Sequence, residues 1–369
     1  MTRPVFYLVL CVALLFGMGL LMIYNTTSAE VIDFETQRSL AAAVIKQLIH
    51  GILGIGAGLI LYWIGYQKLI ENIWMIFVVA TLVLAIVLIP GIGTELNGAR
   101  RWLAVGPFSY QPSEFMKFLI PLYAIAVYTR EGVTLKRFLL HLAVMAVPIF
   151  LILVEPDNGT AAILVATLIT LFFLTGIRWI YWAVPIACLC IVGGSIAYKK
   201  DHVRNRIAVY LNPELDLLGK GHQPYQAKIA TGSGGLYGRG LGESLQKFSY
   251  LPEARSDYIA AIYAEEFGFV GVLVLIGLYA ALACFGFLIA TRAKDVVGLY
   301  LATILTFLIT FQAFLNLGVV SGLLPSKGTN LPFFSHGGSS LIANFMIISL
   351  LCSVSRVSAQ NKEAVCVTS

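Results

Sequence analysis

Long, uninterrupted apolar runs are the feature that most constrains how this chain folds. Leu8 to Ile23 contains no charged residue, and neither does Ile73 to Ile92. An α-helix rises about 1.5 Å per residue, so about 20 apolar residues cross the hydrocarbon core of a bilayer. Of 369 residues, 59% are hydrophobic and 12% are charged, against about 25% charged in an average soluble domain. We therefore predict an all-α membrane protein, and the lack of strand-like alternation disfavours a β-barrel.

About ten segments are long and apolar enough to be predicted as transmembrane helices. We treat residues 1–369 as a single polytopic membrane domain with a large loop, 199–258, between spans 7 and 8 and a tail at 356–369. The first span is predicted to be retained, because Tyr24 to Thr27 does not match a signal-peptidase site. The predicted spans are 5–24, 44–64, 69–90, 113–129, 137–154, 158–175, 180–198, 259–290, 297–320 and 338–355.

The distribution of Lys and Arg predicts which side of the membrane each loop faces. Short cytoplasmic loops are enriched in these residues. With the N-terminus inside, the inner segments hold ten of them and the short outer loops hold six, so both termini are predicted to be cytoplasmic. The large loop carries nine more, which weaken the argument, although long loops are translocated largely regardless of charge. We therefore predict that 199–258 is extracytoplasmic.

Several classes of function have no support in the sequence. No soluble segment carries the basic and aromatic stripe of a nucleic-acid surface, so no nucleic-acid partner is expected. The five histidines are scattered without metal-ligand spacing, which leaves any metal site unknown. Gly232 to Gly240 lacks the Lys and Ser/Thr of a phosphate-binding loop, so we interpret it as flexible backbone. A hydrolase elbow of the Gly-x-Ser-x-Gly type is also absent.

Four polar clusters fall on the same predicted outer face of the membrane. They occupy 97–117, 155–160, 250–258 and 325–340. Glu114 and Lys117 are three apart near a helix start, so they share a helix face, either as a structural ion pair or as part of a site. Glu265 and Glu266 enter an apolar span, where an internal hydrogen bond is as good an explanation as catalysis. At this point a transporter fits as well as an enzyme.

The order and spacing of these clusters resemble the SEDS family of shape, elongation, division and sporulation proteins. Tyr250 to Ala254 and Leu324 to Gly328 look more like the division branch than the elongation branch. His336 departs from the Tyr that is usual in the family. The matching stretches are 97–102, 111–117, 155–160, 232–235, 251–257, 265–268, 316–318 and 337–340.

The resemblance implies a peptidoglycan glycosyltransferase of the bacterial cytoplasmic (inner) membrane. Such an enzyme polymerises lipid II into glycan strands during cell division and releases undecaprenyl pyrophosphate. The expected partners are lipid II, a class B penicillin-binding protein that acts as transpeptidase, and other division proteins. A divalent cation, Mg²⁺ or Mn²⁺, is the expected cofactor.

The resemblance also implies roles for individual residues. Asp257 corresponds to the family's essential acidic residue, and inverting displacement at an anomeric carbon needs one base on the attacking hydroxyl. Arg and Lys side chains suit the developing charge of the pyrophosphate leaving group. The predicted substrate-binding residues are Arg100, Arg101, Trp102, Glu114, Lys117, Glu253, Lys327 and Ser339.

Two other functions remain as alternatives. A lipid II flippase would need polar residues along a path through the bilayer, whereas these polar groups crowd at one face. A non-catalytic scaffold would only position the class B penicillin-binding protein.

Overall fold

A computed structural model describes the chain at residues 2–34, 41–96, 99–106, 108–130, 133–198, 210, 221–247, 255–325 and 328–368. It is a helical bundle, as the apolar runs predict. Six of the described helices are long and apolar enough to cross a membrane, judged by length and composition alone: Arg3–Ser28, Ala41–Ile64, Leu135–Val154, Ile259–Thr291, Val296–Val320 and Gly338–Ser358.

The helices follow the predicted spans in order. They are α1 (Arg3–Phe34), α2 (Ala41–Ile64), α3 (Tyr66–Glu71), α4 (Ile73–Val87), α5 (Pro112–Arg130), α6 (Leu135–Val154), α7 (Asn158–Leu174), α8 (Trp179–Tyr198), α9 (His222–Ser233), α10 (Ile259–Thr291), α11 (Val296–Val320) and α12 (Gly338–Thr368).

Two elements differ from the sequence prediction. The predicted third span, 69–90, is divided at Asn72 into the short α3 and the longer α4. Helix α10 is one element by hydrogen bonding, but Gly268 breaks it with φ 64° and ψ −163°. A residue with a Cβ is strained in that conformation, so glycine is required where the helix changes course.

A small antiparallel sheet lies between α4 and α5, where the prediction had only a polar loop. It contains β1 (Gly93–Leu96), β2 (Ala99–Val105) and β3 (Phe108–Tyr110), in the order β1-β2-β3. The sequence did carry a signal for it, since the dipeptide at 97–98 is Asn-Gly, a strong hairpin marker. The described part of the chain is therefore almost entirely, but not purely, α-helical.

Helix α5 is the centre of the bundle. It packs against α4, α6, α7, α11 and α12, and nearly every residue from Pro112 to Tyr128 is buried. A helix that is buried on all sides is expected to be apolar all round. Glu114 and Lys117 break that rule inside the most enclosed helix of the fold, so they must find partners within the protein.

The helix starts bring polar groups to one end of the bundle. Helix α5 begins with Pro112 at its first position, where a missing N–H costs nothing. Asp157 caps α7, and its side chain accepts a hydrogen bond from the Thr160 N–H at 3.1 Å. These starts, the end of α6 and the start of α10 all carry residues of the polar clusters noted above.

Candidate functional site

Asp257 lies immediately before α10 and is held by its backbone. The side-chain amide of Asn316 donates to the Asp257 carbonyl at 2.9 Å and to the Thr329 carbonyl at 2.6 Å. Asn316 is buried in α11, so this bond fixes the start of α10 and segment 328–337 to the core. A Cβ on Gly328 would lie 2.9 Å from Asp257 Oδ2, so the absence of a side chain there leaves room beside the carboxylate.

Glu114 and Lys117 form the predicted ion pair, and its partners lead to the same segment. Lys117 Nζ is 2.6 Å from Glu114 Oε2 and donates to Gln312 Oε1 at 2.9 Å. The Gln312 amide in turn donates to the Asn330 carbonyl at 2.8 Å. Gln312 and Asn316 are one helical turn apart on α11, so Lys117 and Asp257 are both anchored to one side of that helix.

Asp157 joins α7 to this arrangement. Its Oδ2 accepts from the Gln111 side-chain amide at 3.4 Å. The Gln111 backbone N–H donates to Ser339 Oγ at 2.9 Å, and Ser339 donates onward to the Ser109 carbonyl at 3.3 Å. We name the connected set the Asp257 cluster: Gln111, Glu114, Lys117, Asp157, Asp257, Gln312, Asn316 and Ser339.

Glu155 adds a buried acid beside the Asp257 cluster. Only 1% of it is exposed, and neither carboxyl oxygen has a hydrogen-bond partner among the described residues. Burial, and then the charge of Asp157, raises the pKa of Glu155 to about 8, although Arg101 opposes the shift. The turn between α6 and α7 therefore holds a carboxyl group that is largely neutral at neutral pH.

The arginine and tryptophan side chains of β2 are placed differently from one another. Arg101 donates to the carbonyls of Glu155 and Pro156 at 2.7 and 2.8 Å, so it fastens the sheet to the α6–α7 turn. Arg100 pairs with Glu95 at 3.0 Å on the exposed face of the sheet. Trp102 is half-buried and pairs with Thr94 in the sheet register.

The structure thus brings some of the predicted residues together and leaves others apart. Asp257, Glu114, Lys117 and Ser339 belong to one cluster, and Arg101 adjoins it. Arg100 and Trp102 are placed by the sheet and have no printed contact with the cluster. Two further predicted residues lie outside the described part of the chain: Glu253 and Lys327.

A second buried polar cluster lies two helical turns beyond Asp257. Lys247 Nζ pairs with Glu266 Oε1 at 3.2 Å and donates to Asn25 Oδ1 of α1 at 2.9 Å. The Asn25 amide donates to the other oxygen of Glu266. Since all three are almost fully buried, this pair closes a link among α1, the segment before α10, and α10 itself.

Glu265 holds the neighbouring glycine-rich segment. Its carboxylate accepts from Ser244 Oγ at 2.5 Å and from the Leu245 N–H at 3.2 Å, and Arg239 lies 3.7 Å away. Gly238 has φ 81°, and a Cβ there would lie 2.0 Å from the Glu266 carbonyl oxygen. We name this set the Glu265 clamp: Asn25, Arg239, Ser244, Lys247, Glu265 and Glu266.

The clamp answers two questions left by the sequence. The two glutamates are bound internally, which was one of the alternatives. The glycine run, which we interpreted as flexible backbone, instead has a defined hydrogen-bonded conformation against α10, with the Arg239 and Gly240 N–H groups donating to the carbonyls of Glu265 and Glu266 at 3.0 Å. Its glycines allow close approach and positive φ rather than flexibility.

Buried charge is confined to one end of the described bundle. Every buried charged side chain in the described ranges lies near the starts of α5, α7 or α10, or at the end of α6. The set is Glu114, Lys117, Glu155, Asp157, Lys247, Glu265 and Glu266. An arrangement of this kind provides an acid–base site at one membrane face rather than a charged path through the bilayer.

Comparison with known proteins relates this arrangement to a family. The family model described as cell cycle protein, for FtsW, RodA and SpoVE, matches residues 6–360. The stage V sporulation protein E of Bacillus subtilis is 36% identical over 365 residues, covering 97% of this chain and 98% of that protein. A protein of Trichlorobacter lovleyi named "Probable peptidoglycan glycosyltransferase FtsW" is 36% identical over 358 residues, with 94% and 92% covered.

Solved structures have the same fold. A chain of a peptidoglycan synthase complex, studied for its coordination of polymerization and crosslinking, matches with a TM-score of 0.77 and 26% identity, covering 96% of this chain and 98% of that one. The rod shape determining protein RodA of Thermus thermophilus matches with a TM-score of 0.69 and 25% identity, with 95% of each chain covered. With a family model spanning nearly its whole length and relatives above 30% identity, this chain belongs to the FtsW, RodA and SpoVE family of cell cycle proteins, the SEDS family.

Proposed function

We propose that this protein is a peptidoglycan glycosyltransferase that polymerises lipid II into glycan strands during cell division and releases undecaprenyl pyrophosphate. The observation that carries the proposal is the Asp257 cluster, a set of acidic, basic and amide groups at one end of a helical bundle. Support also comes from relatives named as peptidoglycan glycosyltransferases. At 36% identity the sporulation protein is as similar as the division proteins, so sporulation is a further context for the same chemistry.

The mechanism assigns one proton transfer and one displacement. Asp257 accepts the proton of the 4-hydroxyl of one lipid II molecule. The hydroxyl oxygen attacks the anomeric carbon of the growing strand, and the bond from that carbon to the carrier pyrophosphate breaks with inversion. A single displacement forms no sugar–enzyme bond, so no carboxylate nucleophile is needed.

Lys117 is the group proposed to stabilise the leaving pyrophosphate. An ammonium has three N–H donors, and Glu114 and Gln312 account for two of them. These two partners fix the position of the charge before substrate arrives, and a fixed charge stabilises a transition state without reorganisation. Arg101 supports the same site by holding the α6–α7 turn that carries Asp157.

A divalent cation fits this site in one specific way. The described residues contain no group of three or more His, Cys, Asp or Glu side chains that could hold a metal ion. Mg²⁺ often binds through one or two carboxylates, water and substrate phosphates rather than a protein cage. Asp157 would be the carboxylate that holds Mg²⁺ or Mn²⁺ with the pyrophosphate, and the ion would neutralise charge on the leaving group.

The proposed partner is a class B penicillin-binding protein. It is supported by the likeness to a chain of a peptidoglycan synthase complex that combines polymerization and crosslinking. In that arrangement the partner cross-links the strands that this chain polymerises.

A test with purified protein separates the three functions under discussion. We expect lipid II in detergent or liposomes to be converted into glycan strands in the presence of Mg²⁺, most efficiently with the partner added. Transport of lipid II across vesicles without any polymer, even with the partner, would identify a flippase. Recovery of polymer only from the partner would identify a scaffold.

The ion pair of α5 gives a second prediction. Lys117→Ala should lower polymerisation by about 10²-fold, as is typical for loss of one fixed donor to a developing charge, and Glu114→Ala should also lower it because Lys117 loses its partner. The control is Glu71→Ala, an exposed acid at the far end of α3, which should polymerise normally. If both α5 variants are folded and match that control, the ion pair has no role in the reaction.

We propose ten transmembrane spans, with both termini in the cytoplasm and 199–258 outside. Single cysteines replacing Glu214 and Glu363, in a background without native cysteines, should differ in reactivity towards a membrane-impermeant thiol reagent. Position 214 should be labelled in intact cells, and position 363 only after permeabilisation. The reverse pattern would invert the topology and place the Asp257 cluster at the cytoplasmic face.

A further inference from the structure

An apolar cavity opens between α9, α10 and α11 and is not used by the mechanism above. Its volume is about 470 Å³. Small side chains leave the space open, because Ala264, Ala280 and Ala283 on α10 face Ala313 and Gly318 on α11. Phe314 and Leu323 at its border are 62% and 73% exposed, so it opens towards the surface of the bundle.

The polar side chains of the cavity wall are already engaged. The hydroxyl of Thr231 donates to the Ala227 carbonyl, that of Thr310 to the Thr306 carbonyl, and that of Ser321 to the Gly318 carbonyl, at 2.8 to 3.1 Å. The fourth, Tyr279, donates to the Pro332 carbonyl at 2.7 Å. Since every hydroxyl on the wall satisfies a backbone carbonyl, the wall offers a ligand apolar contact, and it suits a hydrocarbon.

The cavity is continuous with the Asp257 cluster. Ala260 on its wall is one helical turn after Asp257. Gly318 is two residues after Asn316, which binds the Asp257 carbonyl. The Pro332 carbonyl that receives the Tyr279 hydroxyl belongs to segment 328–337, the segment held by Gln312 and Asn316. A molecule with its polar head at Asp257 can therefore place an attached apolar chain in the cavity.

The two helices are joined tightly beyond the cavity. A Cβ on Gly286 would lie 2.3 Å from Thr306 Oγ1, so α10 and α11 touch at backbone distance there. The pair diverges from this contact towards Asp257, which gives the cavity a closed end in the bundle and an open end near the cluster. Such a shape accepts one long chain rather than a bulky group.

Resting on the proposed function, we propose that this cavity binds the isoprenoid tail of the lipid-linked substrate whose head group reaches Asp257. Filling the cavity should weaken binding of that substrate and leave the chemical step intact. In kinetic terms the variant should raise KM at least tenfold and change kcat little. A substrate analogue with a short isoprenoid tail should be affected less, because it places less chain in the cavity.

Photo-crosslinking tests the tail site independently of activity. Full-length protein in liposomes of phosphatidylethanolamine and phosphatidylglycerol is mixed with lipid II that carries a diazirine in its isoprenoid tail, and labelled peptides are identified by mass spectrometry. We expect labels within 260–283 and 310–323, displaced by unlabelled lipid II. The filled variant is Ala283→Phe, with Ala280→Phe as a second variant if the first does not fold.

A matched variant on the same helix controls for the added aromatic ring. Val274 is 52% exposed and does not line the cavity, so Val274→Phe should label and bind as the unaltered protein does. Equal labelling by a diazirine phospholipid, with no displacement by lipid II, would mean that ordinary membrane lipids fill the cavity. Labels confined to other helices would also overturn the proposal. Correct labelling without any polymerisation would leave the tail site standing and reject the glycosyltransferase.

Discussion

Replacing Asp257 with asparagine is expected to abolish glycan synthesis while leaving lipid II binding in place. Asparagine keeps the size of the side chain but cannot accept a proton at working pH, and a general base typically contributes about 10²–10⁴-fold. The backbone anchor should survive, because Asn316 binds the carbonyl of residue 257 and not its side chain. The measurements are the polymerisation rate and lipid II affinity of the purified protein.

A capping role for Asp257 predicts a different result. Tyr258 occupies the N-cap position of α10 and makes no side-chain cap hydrogen bond, and asparagine caps a helix about as well as aspartate. Asp295→Asn is the matched control, because Asp295 caps α11 by accepting from the Gly298 N–H at 3.2 Å. We expect that variant to polymerise normally. Near-normal polymerisation by Asp257→Asn would remove this carboxylate from the mechanism.

Removal of Lys247 is expected to have the largest effect on stability. The Lys247→Met variant leaves Glu266 buried without its cation, and breaking a buried pair by removing one partner costs about 3–5 kcal/mol. Combining Lys247→Met with Glu266→Gln removes the unpaired charge and should recover much of the loss. Thermal or denaturant unfolding of the detergent-solubilised protein measures both.

An exposed ion pair provides the control for the Lys247 experiment. Arg100 and Glu95 have side chains 39% and 53% exposed, and such pairs contribute about 0–1 kcal/mol. Arg100→Ala should therefore unfold almost as the unaltered protein does. If Lys247→Met unfolds at the same point as Arg100→Ala, the Glu265 clamp does not hold α1 to α10.

Helix placement was predictable because apolar runs and their polar interruptions directly reflect the bilayer. The three-stranded sheet was missed, although Asn97-Gly98 is a hairpin dipeptide, because a short polar segment between two spans was treated as loop. The break at Gly268 was missed as well. A lone glycine in an apolar run does not indicate its φ angle, and here φ is determined by contacts with residues 236–238.

The candidate site was only partly predictable. Glu114 and Lys117 could be paired from their spacing, since three residues bring two side chains to one helix face. Gln312 and Asn316, which tie Lys117 and Asp257 to a common helix, were not selected as site residues, although they are two amides one turn apart in an apolar span. The partners Lys247 and Asn25 are 222 positions apart, and no local pattern relates residues at that distance.

That separation has a consequence for biogenesis. At about 5–20 residues per second of synthesis, α1 waits on the order of 10–40 s before Lys247 is made. A charged residue near the centre of a helix costs about 2.5–3.5 kcal/mol to insert. The residue that waits, Asn25, is neutral, while Lys247 and Glu266 are 19 positions apart and are translated within roughly 1–4 s of each other. The order of the chain therefore places the uncharged member of the trio in the membrane first and delivers the two opposite charges almost together.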